Sequence, residues 1–91
     1  MLFLKADKAM EKLGFEKISE HESGVSYRKE IKKYGFTQRL DIVHKANGNH
    51  LIQSYVEGIN LEGFNNCVGI TYPEMKAIMK KYHEMKRKYG W

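Results

Sequence analysis

Asn47-Gly48 is the feature that most constrains this chain. Asn and Gly are the residues that best tolerate positive φ, and an Asn-Gly pair between two alternating apolar runs is a strong short-range hairpin signal. The upstream run, Phe36 to His44, sets Phe36, Leu40 and Ile42 against Thr37, Arg39 and Asp41. The downstream run spans 50–56. A two-residue loop at this point pairs Ala46 with Asn49. His44 then lies opposite Leu51, Ile42 opposite Gln53, and Leu40 opposite Tyr55 on one face. Val43 with Ile52, Asp41 with Ser54, and Arg39 with Val56 share the other. The first face is the more apolar and is expected to meet the core.

Upstream, residues 2 to 13 carry Phe3, Ala6, Met10 and Leu13 at helical spacing. Gly14 and Phe15 fit a Schellman stop folded back on Met10. Phe15 to Glu22 is a weak strand with Phe15 and Ile18 as its apolar residues, suited to an edge. Ser23-Gly24 turns the chain. Val25, Tyr27 and Ile31 mark a second strand, and Lys32 to Gly35 a second turn. Residues 58 to 69 form an irregular connection in which Ile59, Leu61 and Phe64 pack down, with a short strand at Val68 to Ile70. Thr71 and Glu74 form a capping box, with Pro73 in the first turn and Ile70 and Met75 as a hydrophobic staple. In the helix that follows, Met75, Ile78, Met79, Tyr82, Met85 and Tyr89 share one face. Gly90 ends it, and Trp91 is large enough to dock. The fold class is α+β: an N-terminal helix, a three- to four-stranded antiparallel meander and a C-terminal helix, with the helices on one sheet face.

A chain of 91 residues supports one core and one domain, 1–91. The single Cys67 excludes an internal disulfide framework and fits a reducing compartment. Without a membrane-length apolar run or a secretory leader, a cytosolic location is expected. The net charge of +5 divides unevenly: +3 over residues 1–45, −2 over 46–73 and +4 over 74–91.

Several groupings bear on chemistry. His44 and His50 flank the hairpin turn, but the two-residue register sends them to opposite faces. They then cannot converge on an ion, and no metal or cofactor is expected. Cys67 with a histidine and Asp41 has the composition of a nucleophile set but no local signature, and a small half-buried structural thiol is the simpler reading. Asn60, Asn65 and Asn66 with their glycines lack any phosphate-loop spacing and read as turns. No catalytic residue is assigned, and the chain is not expected to be an enzyme. Lys76, Lys80, Lys81, Arg87 and Lys88 lie mostly opposite the apolar face of the last helix and form a candidate phosphate-contacting set. Thirteen Lys to three Arg leave few bidentate base-reading groups. Arg39, Asp41 and Ser54 on the wetter sheet face, with Tyr89 and Trp91, form a candidate protein-contacting set.

The segments Gly35-Phe36-Thr37, Leu40-Asp41-Ile42, Tyr55-Val56-Glu57-Gly58-Ile59-Asn60, Asn66-Cys67-Val68-Gly69 and Tyr89-Gly90-Trp91 together resemble small uncharacterised proteins of phages and prophages of Gram-positive bacteria, which share a helix–meander–helix layout. The resemblance covers most of the chain and implies expression in a bacterial host cytosol. It supplies no catalytic residue. The expected role is a non-enzymatic accessory module that engages another protein or a second copy of itself. The alternative is nucleic-acid binding through the basic helix.

Overall fold

The computed structural model describes residues 5–45, 47–58 and 66–91. The order is α1 (Ala6–Lys12), β1 (Glu16–His21), β2 (Gly24–Ile31), β3 (Phe36–His44), β4 (His50–Val56) and α2 (Tyr72–Tyr89). The strands form one antiparallel meander, β1-β2-β3-β4, and the helices cover one of its faces. The expected roles of Phe3, Ile59, Asn60, Leu61, Phe64 and Asn65, and the pairing of Ala46, lie outside the described residues.

The end of α1 is a Schellman motif. The Phe15 amide donates to the Met10 carbonyl at 3.1 Å and the Gly14 amide to Glu11 at 2.9 Å. This turn drops Phe15 beside Met10 in a core completed by Val25, Tyr27, Leu40, Ile42, Ala77, Ile78 and Met85. Met10, Leu40, Ile42, Ile78 and Met85 are fully buried. Each such side chain contributes about 1.5–3 kcal/mol by leaving water.

Gly24 opens β2 where β3 passes very close. A Cβ there would lie 2.6 Å from the Ile42 carbonyl oxygen, so only glycine fits. In β1 the register shifts between Lys17 and Ser19, leaving Ile18 on a bulge and 42% exposed. The extra residue places Lys17 and Glu20, three apart, on the same helix-facing side.

The hairpin falls where Asn47-Gly48 places it, but the loop is one residue longer than expected. His44 pairs with His50, Ile42 with Ile52, Leu40 with Ser54 and Arg39 with Tyr55. The Gly48 amide donates to Lys45 and the Lys45 amide to Asn49. Gly48 takes φ +84°, and Asn47 uses its side-chain oxygen to hold the Asn49 amide. A three-residue loop closed by a left-handed glycine replaces the two-residue turn. The shift turns every side chain of β4 over. His50, Ile52 and Ser54 face the helices, while Leu51, Gln53 and Tyr55 join Arg39, Asp41 and Val43 on the helix-free face.

Residues 66–68 do pair with a strand. The Val56 amide donates to Asn66 and the Val68 amide to Ser54, bringing Cys67 opposite Tyr55 at the β4 edge. This contact begins two residues before the expected strand at 68–70. Helix α2 starts on its capping box, with Glu74 accepting from the Thr71 amide and Thr71 from the Glu74 amide. Its buried face is Glu74, Ala77, Ile78, Lys81 and Met85, rotated from the expected stripe. Met75 and Met79 are 38% and 39% exposed. The rotation follows from α2 packing against α1 as well as the sheet, and from a buried ion network that draws Lys81 inward. No described helix is long and apolar enough to cross a membrane.

Candidate functional site

Three groupings of polar side chains stand out, and the sequence reading anticipated only part of each.

The first is the network around Lys81. Its ammonium, fully buried, lies 2.6 Å from Glu20, 2.5 Å from Glu84 and 3.0 Å from Asp7. Glu20 also accepts from Lys88 at 2.7 Å, from the Tyr89 hydroxyl at 2.9 Å and from Lys17 at 3.2 Å. Asp7 accepts from Tyr27 at 2.7 Å and Lys17 at 2.8 Å. Three carboxylates thus face three ammonium groups, and no buried polar side-chain atom among the described residues lacks a partner.

Burial pushes the Glu20 carboxyl up, but hydrogen bonds from Lys81, Lys88, Tyr89 and Lys17 more than reverse this and hold it well below the carboxylate range. Asp7 is lowered too, since burial is outweighed by Lys17, Tyr27 and Lys81. Burial pulls the Lys81 ammonium down, yet its three carboxylate partners raise it above an ordinary lysine. Burial and the bond to Asp7 both raise the Tyr27 hydroxyl. Asp7, Glu20 and Glu84 have the spacing of a metal-binding trio. The Lys81 ammonium already supplies the positive charge at their centre, so the arrangement binds helix to helix and helix to strand.

This network corrects the basic set proposed from sequence. Lys81 is buried, while Lys88 bonds Glu20 but stays on the surface with its side chain 56% exposed. Lys76, Lys80 and Arg87 remain exposed, and at spacings of four and seven they share a face of α2 with His83. Lys12 of α1 joins Lys76 and Lys80 around an open groove of about 350 Å³ between the helices, floored by Ala9, Leu13 and Ala77.

The second grouping lies on the helix-free sheet face. Asp41 accepts from the Tyr55 hydroxyl at 2.7 Å and from Arg39 Nε at 3.2 Å, and Glu57 approaches the other end of the Arg39 guanidinium at 3.7 Å. Burial and the bond to Asp41 raise the Tyr55 hydroxyl. Val43 and Leu51 are paired two residues along the strands, next to this trio. Arg39 and Asp41 are therefore where the sequence placed them. Ser54 is not: it faces the helices and accepts a hydrogen bond from Gln38 at 2.9 Å. Tyr55 takes its place, a residue that the two-residue register had assigned to the core.

The third grouping is aromatic. Trp91 stacks on His44 and on His50 at 5.1 Å each, and Tyr82 meets His50 edge-on at 5.2 Å. The Trp91 indole N–H donates to the Glu22 carbonyl at 2.8 Å. Trp91 does dock, as expected, but it and Tyr89 are used internally and leave the proposed protein-contacting set. His44 Nδ1 and His50 Nε2 lie 2.9 Å apart on one face, which overturns the expectation that they point to opposite sides.

Cys67 is exposed rather than half-buried. It lines a groove of about 680 Å³ with Ile52, Tyr55, Val68 and Ile70, opposite Tyr55 on the sheet, whereas His44 and His50 face the helices. No family model matches this chain, and no curated protein or solved structure does so either.

Proposed function

We propose that this chain is a non-enzymatic interaction module of the small phage-accessory type, and that it uses the helix-free sheet face to bind a protein surface, a second copy of itself first. The observation that carries this reading is the Arg39–Asp41–Tyr55 trio beside Val43 and Leu51. Tyr and Arg dominate binding hot spots, and here both are held in place before any partner arrives, which lowers the ordering cost of association. The face is also self-complementary in charge. Arg28 and Arg39 are interspersed with Glu16, Glu30, Asp41 and Glu57, as a two-fold interface requires.

Light scattering across a concentration series tests it. The wild type is expected to show a concentration-dependent dimer that Arg39→Ala/Tyr55→Ala abolishes. A strict monomer up to ~1 mM, the weak end of specific affinity, rejects the second copy as occupant.

A second reading rests on the convergence of Lys12, Lys76 and Lys80 at the interhelical groove. Binding of a nucleic-acid backbone there should weaken steeply between 50 and 200 mM salt, by roughly tenfold or more for a few phosphate contacts. It should also fail in Lys76→Gln/Lys80→Gln/Arg87→Gln. Salt-independent binding, or none, eliminates it.

A further inference from the structure

We propose that His44 and His50 form a two-nitrogen chelating site for a divalent transition-metal ion, Cu(II) before Ni(II) or Zn(II). The two residues are directly opposite on β3 and β4. The His44 amide donates away from β4, to Ser23, and the flanking Lys45 amide bonds to Asn49. His44 and His50 are thus a non-hydrogen-bonded cross-strand pair, the kind that brings side chains closest. Their rings are 4.8 Å apart between centroids and both residues are half-buried.

The donor type chooses the ion. Imidazole nitrogens suit Cu(II), Ni(II) and Zn(II), and affinity for such donors peaks at Cu(II). His44 Nδ1 and His50 Nε2 are separated by 2.9 Å. That spacing is a hydrogen-bond length between the two rings, which an ion would replace with two metal–nitrogen bonds of ~2.0 Å. In the metal-free pair one ring must donate a proton to the other. On binding, the donor ring moves its proton to its second nitrogen, and both lone pairs then face the ion. Trp91 stacks on both rings and Tyr82 closes against His50, fixing ring orientation as the groups behind metal ligands do. Among the described residues no third protein ligand joins the pair. The remaining positions therefore fall to water or to a donor from outside, and the bound ion is exchangeable.

Trp91, the only tryptophan in the sequence, is a built-in reporter. Cu(II) titrated into the full chain at neutral pH is expected to quench its emission to a 1:1 end point. Ni(II) should follow at higher concentration, and Zn(II), which does not quench, should displace Cu(II) and restore emission only in excess. His44→Gln and His50→Gln should each weaken Cu(II) binding about tenfold or more, and His21→Gln and His83→Gln should leave it unchanged. Lowering the pH should release the ion as protons compete for the imidazole nitrogens. Electron paramagnetic resonance of the wild-type Cu(II) complex needs no variant, and should show hyperfine coupling to two imidazole nitrogens. A spectrum with fewer, wild-type affinity in both His44→Gln and His50→Gln, or Zn(II) bound more tightly than Cu(II), overturns the proposal.

Discussion

Replacing Lys81 by methionine removes the central charge of the buried network while keeping most of its volume, so little cavity is left. Deleting one partner from a buried ion pair typically costs about 3–5 kcal/mol, mainly because the other charge is stranded. The stranding here is incomplete. Glu20 keeps Lys17, Lys88 and Tyr89, Asp7 keeps Lys17 and Tyr27, and the Glu84 side chain is 32% exposed to water. The loss should therefore fall at the low end, about 3 kcal/mol. A chain of this size has roughly 5–14 kcal/mol in total, so the variant still folds. At ~4–8 °C per kcal/mol, its Tm drops by about 12–24 °C. Urea unfolding followed by far-UV circular dichroism, with calorimetry, measures both quantities. A Lys81→Met protein as stable as the wild type would show that desolvating this network costs as much as its ion pairs return, and would refute the assignment of Lys81 as a net stabilising centre.

Other expectations follow from the same geometry. Glu20 and Asp7 are depressed in the folded state, so their contribution is complete above the ordinary carboxylate values of 4.5 and 3.8 and is lost as pH falls below them. Unfolding free energy measured from pH 6 to 2.5 should decline in the wild type and decline less in Glu20→Gln; equal slopes would refute this. Gly24→Ala forces a Cβ against the Ile42 carbonyl and should cost about 2 kcal/mol or more in urea, whereas a neutral outcome would mean that β2 can shift away at no cost. Trp91→Ala loses two ring stacks and a hydrogen bond to Glu22. Because Trp91 is only half-buried, the loss should be about 2 kcal/mol rather than the ~3–5 of a core tryptophan.

The order of elements, the meander, the Schellman stop at Gly14-Phe15 and the Thr71 capping box were all legible in the sequence, because each depends on neighbours within a few residues. The register of β4 was not. The same Asn-Gly pair closes a two-residue turn with both residues at positive φ or a three-residue loop with glycine alone there, and nothing within the loop chooses between them. The strand itself is equally silent: Leu51 and Tyr55 alternate with Ile52 and Val56, so either face can serve as the apolar one. Burial of Leu40 and Ile42 against β2 settles the face of β3 but leaves β4 free to turn over. One residue of loop length thus decided whether Tyr55 or Ser54 accompanied Arg39, and whether the two histidines met.

The Lys81 network was hidden for a different reason. Apart from Glu84, its carboxylates come from Asp7 and Glu20, more than sixty residues away, and a lysine midway along a helix otherwise reads as solvated. The bulge at Ile18, which turns Lys17 and Glu20 to the same side, leaves no signature in composition. Arg39 and Asp41 were legible because β3 alternates cleanly over its whole length.

Every hairpin of the meander can form from adjacent segments, but the bonds of Lys81 to Asp7 and Glu20 span most of the chain and exist only once α2 has closed over α1 and β1. We predict that contacts of that kind form late, so that Lys81→Met speeds unfolding far more than it slows folding; a folding rate that falls by the larger factor would refute this. The ion network is in this sense a latch: what it sets is how long the closed molecule stays closed.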